Sequence, residues 1–100
     1  MKWVYICSPL RSDYYRNQLK AEAYCREAVK EGVLPIAPHI YLTRFLADAD
    51  PEQRRLGMHM GIEMLKKCQE IWVYGEPSEG MKAEIEMAEK LGIKIVRKAG

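Results

Sequence analysis

The chain is short of several things, and each shortage excludes a class of protein. Its 100 residues include only 3 cysteines, Cys7, Cys25 and Cys68, and 1 phenylalanine. The cysteines are odd in number, far apart and never in a CxxC pair, so neither a disulfide framework nor a structural zinc site fits. No run of 18 apolar residues exists to cross a membrane. The 7 glycines form neither a GxGxxG fingerprint nor a Walker loop. No linker, fixed-period repeat or low-complexity tract interrupts the chain, so residues 1–100 read as a single folded domain. Charge of one sign is also lacking: 16 Lys and Arg against 14 Asp and Glu leave a net charge of +2. The charges are interleaved, whereas a nucleic-acid-binding domain clusters its cations on one face. Two histidines without acidic or cysteine partners at ligand spacing make no metal site. The expectation is a protein with no cofactor, no membrane contact and no nucleic-acid partner. With no charged-then-apolar leader in the sequence, a reducing cytoplasm suits its free thiols.

What is present alternates regularly. Lys2–Cys7 (KWVYIC) is an apolar, β-rich run stopped by Pro9. A helix follows from an N-cap at Asp13, with a core stripe of Ala21, Tyr24, Cys25, Ala28 and Val29, and Gly32 stops it. Val33–Ala37 is a second strand, placed at an edge by Pro35. After a loop holding Pro38 and His39, Asp50-Pro51 opens a second long helix with a stripe of Leu56, Met60, Met64, Leu65 and Cys68. Ile71–Tyr74 is a third strand and Gly75–Gly80 a loop. Met81–Leu91 is a helix ended by Gly92, and Ile93–Val96 is the last strand. The β-α-β-α-β-α-β order with apolar strands predicts an α/β, flavodoxin- or Rossmann-like three-layer sandwich of four parallel strands. Ligands in such folds bind at the carboxyl ends of the strands. Two polar loops fall there, Ser8–Asp13 and Gly75–Gly80.

Glu84 stands out. It shares the inner face of its helix with Met81, Ile85, Ala88 and Leu91, while Lys82, Glu86, Glu89 and Lys90 face out. A carboxylate on that stripe is costly unless it is paired or used. It is either a chemical group near the binding edge or a border residue reaching solvent beside the positive helix end. Ser78 and Gly80 open the same helix: they form an anion site of hydroxyl and free N–H groups, or Ser78 is simply its cap. Arg11, with Ser8 or Ser12, offers a phosphate clamp or an ordinary surface cation. Tyr5 lies near the end of the first strand, placed to bond a carboxylate or to fill the core. His39 sits at the same edge, and His59 reads as a surface or packing residue.

Two segments, Tyr5-Ile6-Cys7-Ser8-Pro9-Leu10-Arg11 and Ser78-Glu79-Gly80-Met81-Lys82-Ala83-Glu84-Ile85, together resemble the nucleoside 2-deoxyribosyltransferase superfamily, 2′-deoxynucleoside 5′-phosphate N-hydrolases included. The likeness runs over nearly the whole chain. It implies cleavage or transfer at the N-glycosidic bond of a 2′-deoxynucleoside or its 5′-monophosphate, by the two-step logic of retaining glycosidases. By motif position, Glu84 would be the nucleophile and Tyr5 its orienting partner. Ser8, Pro9, Arg11, His39, Ser78, Gly80 and Met81 would hold the substrate. A homodimer is implied, because family members complete the pocket from a second subunit. The family pattern also carries an aspartate on the helix before the third strand. Gly61 occupies the aligned position, and Glu63, two residues on, points about 200° away around a helix. Acid assistance then falls to another group, His39 or Glu63. The alternative is a nucleotide-binding sensor or regulatory module that does not cleave its ligand.

Overall fold

A computed structural model describes residues 1–99. Four strands form one all-parallel sheet in the order β2-β1-β3-β4, with β1 Trp3–Cys7, β2 Leu34–Ile36, β3 Glu70–Tyr74 and β4 Lys94–Lys98. Three long helices connect them: α1 Tyr14–Lys30, α3 Pro51–Leu65 and α4 Glu79–Leu91. A one-turn helix, α2 Pro38–Tyr41, follows β2. The α/β fold is the one the alternation predicts, with strand ends within a residue or two of expectation.

The burial of each strand follows its place. Every residue of central β3 is buried, and the interior residues of β1 are too. Pro35 sits on edge strand β2, where its missing N–H costs no ladder bond. Alternate side chains go to opposite faces. Val4, Ile6, Trp72 and Tyr74 pack with Ala28 on the α1 face, where the Tyr24 ring stacks on Tyr74 at 3.9 Å. Tyr5, Cys7, Ile71 and Val73 go to the other face with Leu65, Met81, Ile85 and Ala88 from α3 and α4. Each fully buried aliphatic here contributes roughly 1.5–3 kcal/mol by leaving water.

The helix ends obey local chemistry. Asp13 accepts the Arg16 N–H at the start of α1, and the Asp50 carboxylate accepts the N–H of Glu52 at 2.9 Å beside Pro51 at N1 of α3. Gly92 ends α4 at φ 71°, a left-handed conformation that a Cβ disfavours.

Some expectations need correction. Pro38 and His39 belong to α2 rather than a loop, because proline at N1 presets the helical φ. The Thr43 hydroxyl and the Gln18 amide then both donate to the His39 carbonyl at 2.9 Å. The last helix opens at Glu79, so Gly80 is helical. Val29, Leu56 and Leu91, read as core positions, are exposed. On α3 the buried residues are Gly61 and Leu65, which shows that the inner stripe is built partly on a glycine that a hydrophobic count passes over.

Candidate active site

The chain order runs out to β2, returns past β1 and continues at β3, so β1 and β3 are neighbours whose connections leave in opposite directions. A crevice opens at their carboxyl ends for that reason. It is a cleft of about 390 Å³. Tyr5, Ser8, Pro9, Arg11, His39, Ser78, Gly80, Met81 and Glu84 all line it, whereas Glu63 does not.

Glu84 is half-buried on α4 and turns its carboxylate toward β1. Both oxygens are engaged from that strand. The Tyr5 hydroxyl donates to Oε2, and the Cys7 thiol lies 3.3 Å from Oε1. Tyr5 and Cys7 reach the same group because they are two apart on one strand face. Crowding away from water raises the Glu84 pKa above the ordinary carboxylate value, and the bonds from Tyr5 and Cys7 oppose that rise. Burial, then the charge of Glu84, pushes the Tyr5 hydroxyl and the Cys7 thiol well up, so both stay protonated as donors.

Tyr5 has room to reach Glu84 because α3 presents a glycine to it. A Cβ at Gly61 would stand 3.2 Å from the Tyr5 hydroxyl oxygen. The Tyr5 hydroxyl thus lies directly against Gly61. Glu63 is exposed, bonds Lys66 at 3.0 Å and does not line the cleft, so it offers no acid there.

The opposite wall is neutral and then cationic. Buried Ser8 lies 3.1 Å from His39 Nε2. Burial lowers the His39 pKa to about 4, so the ring is neutral at ordinary pH and is a hydrogen-bonding group rather than a proton reserve. Arg11 faces the cleft with its Nε 3.0 Å from Asp48. Sequence reading missed Asp48 and Arg54, both in the cleft lining. It also gave Cys7 no role at the site. The signal was available in the spacing: Cys7 is Tyr5 plus two on a strand, so whatever Tyr5 touches, Cys7 approaches.

Ser78 caps α4 by accepting the Met81 N–H at 3.4 Å. The N–H groups of Glu79 and Gly80 begin the helix ahead of that bond, and nothing within 4 Å occupies the space a Cβ on Gly80 would fill. The cap and the anion site are therefore compatible: the hydroxyl oxygen holds the helix start while the first N–H groups stay available. Among the described residues no three His, Cys, Asp or Glu side chains converge as a metal cluster, and no helix is long and apolar enough to cross a membrane.

The doubly wound parallel sheet has counterparts among solved structures. The structure matches a 2-deoxyribosyltransferase from the psychrotolerant bacterium Bacillus psychrosaccharolyticus with a TM-score of 0.71 at 17% identity, covering 97% of this chain and 72% of that one. It matches a 2-deoxyribosyltransferase from Leishmania mexicana with a TM-score of 0.70 at 19% identity, covering 99% of this chain and 65% of that one. At such identities the likeness establishes the fold, and this chain spans only part of either neighbour. The chain belongs to the family described as Domain of unknown function (DUF7768), whose model matches residues 2–98. No curated protein matches the sequence.

Proposed function

We propose that the protein cleaves or transfers the N-glycosidic bond of a 2′-deoxynucleoside or, preferentially, its 5′-monophosphate, with Glu84 as nucleophile. The observation that carries this reading is the Glu84 carboxylate itself. It faces a cleft, is held by two neutral donors and, with its pKa raised by burial, is a strong base for a carboxylate. Such a group suits attack on an electron-poor carbon such as C1′ of a deoxyribosyl unit. A C–O ester bond forms as the C1′–N bond breaks, and the base leaves with the bonding electrons and takes up a proton. Water or a second base then attacks C1′ and frees the carboxylate. The fold neighbours are named for deoxyribosyl transfer, which supports the substrate class.

The remaining parts follow from placement. The start of α4 receives an anion at its N–H groups, and Arg11 supplies the cation that favours a phosphate-bearing substrate. Tyr5 orients Glu84. Ser8 and neutral His39 bond the sugar or base. A second copy of the chain closing the cleft, as the resemblance implies, belongs to this reading.

One observation favours a second reading. With Gly61 facing Tyr5 and Glu63 turned to solvent, no carboxylic acid from α3 stands ready to protonate the departing base. The fold would then serve as a nucleotide sensor. The deciding experiment follows base release by chromatography from a panel of 2′-deoxynucleosides and their 5′-monophosphates, with and without an acceptor base. Release that disappears in Glu84→Ala supports the enzyme. Thermal stabilisation by a nucleotide without any release supports the sensor.

A further inference from the structure

We infer that Cys7 is a positioning residue that selects which oxygen of Glu84 attacks: Tyr5 holds Oε2, and the thiol steers Oε1 while leaving its electron density largely free. This rests on the proposed reaction and adds a role for a side chain that the reaction as written does not use.

The geometry is specific. The Cys7 sulfur lies 3.3 Å from Oε1 and 4.0 Å from the Met81 carbonyl, so the carboxylate is its nearer acceptor. Cys7 has no exposure, hence no water competes for the S–H. Burial keeps the thiol protonated, so it donates at every working pH and is a poor target for oxidants. The two donors differ in kind. A phenol O–H to a carboxylate is a strong, charge-assisted bond, whereas an S–H is a weak donor. Negative charge is therefore drawn toward Tyr5 at Oε2 and left comparatively free at Oε1. A serine in place of Cys7 would donate strongly to Oε1, leaving each oxygen held by a hydroxyl, and so blunt the nucleophile. An alanine would leave Oε1 without a guide.

Other groups do not supply this asymmetry. From β4, Arg97 acts on the Cys7 thiol by its charge alone, and from the segment between α3 and β3 Cys68 acts on Tyr5. From the body of α3, Gly61 brings no charge. Of the groups lining the cleft, His39 is neutral and Arg11 is paired with Asp48, while Arg54 and Glu79 make no bond to either oxygen. The Glu84 carboxylate is thus set by burial and two neutral donors.

The test titrates the Glu84 side chain by carbon NMR of protein carrying labelled glutamate, assigned with Glu84→Gln, alongside the pH profile of kcat/KM. Cys7→Ser should move the carboxyl pKa and the acid limb down by about half a unit or more, because a stronger donor favours the ionised form. It should also lower kcat by roughly threefold to tenfold. Cys7→Ala should move both up. Should Cys7→Ser fail to fold, the upward shift in Cys7→Ala carries the test. A carboxyl pKa unmoved in both variants overturns the inference whatever the activity, and so do rates that fall only in step with melting temperature. Base release that persists in Glu84→Ala overturns the nucleophile instead. In that case a shifted carboxyl pKa leaves the hydrogen bond standing and removes the steering role.

Discussion

Gly61 on α3 and the Tyr5 hydroxyl on β1 fit so closely that a single methyl between them would sit 3.2 Å from the oxygen. The neighbour that must yield is the end of a side chain. Gly61→Ala should therefore fold, with helix propensity contributing up to about 1 kcal/mol against the crowding. Base release should fall about tenfold as Tyr5 is pushed off Glu84. Gly61→Asp adds charge as well as bulk beside a half-buried carboxylate and should cost about 1–3 kcal/mol. Melting curves and rates for the two variants check this. Unchanged rates in Gly61→Ala would show that the fit is slack.

Glu84 works against folding. Its pKa is raised in the folded state, so its contribution is favourable below the unfolded carboxylate pKa and is lost as pH rises through the folded value. At neutral pH the charged form is therefore a burden. Glu84→Gln should be more stable at pH 7 by on the order of 1 kcal/mol, a Tm gain of roughly 4–8 °C for a domain of this size. The gain should vanish toward pH 4. A variant less stable at pH 7 would contradict a carboxylate penalised by its burial.

Arg11 and Asp48 form a half-exposed pair at the cleft, worth little to stability. Their value lies in charge at the site. Arg11→Ala should raise KM for monophosphates about tenfold and leave nucleosides within about twofold. Asp48→Asn releases the guanidinium and should lower the monophosphate KM about threefold. Equal effects on both substrate types would remove the phosphate argument.

At the opposite end of the sheet, buried Glu70 accepts from Lys2 Nζ at 2.7 Å and Trp72 Nε1 at 2.8 Å. The bond from Lys2, then that from Trp72, lowers its pKa. Its stabilisation is present above the unfolded carboxylate pKa and is lost as pH falls through the lower folded one. Glu70→Ala should cost about 1–3 kcal/mol at pH 7. The two proteins' denaturation midpoints should converge below about pH 4. A constant gap down to pH 3 would mean the loss is packing alone.

The strands and long helices were legible because this fold writes itself in period. β1 and β3 are short apolar runs, and Asp13, Asp50-Pro51 and Gly92 mark helix ends by their own chemistry. Glu84 was legible as a charge on an apolar stripe. What escaped had a common cause, namely small or neutral residues doing geometric work. The inward side of α3 uses Gly61, so counting large apolar residues turned the helix toward Leu56. Cys7 passes for a small hydrophobe until its distance to a carboxylate is known. Asp48 lies among ordinary loop residues, and only tertiary folding brings it to Arg11. The short helix at Pro38 hid behind a proline that also marks turns.

Tyr5 and Glu84 lie 79 positions apart, joined across the middle of the sheet. Closing so long a loop carries an entropic cost that local contacts escape, and α1, β2, α3 and β3 all lie between its ends. β1 supplies Tyr5 and Cys7, and the carboxylate they meet comes from α4. The cleft likewise draws Ser8 and Arg11 from the loop after β1 and Ser78 and Gly80 from the start of α4, so neither segment forms it alone. The cleft exists only where these distant segments meet, so whatever disturbs the sheet between them disturbs the site.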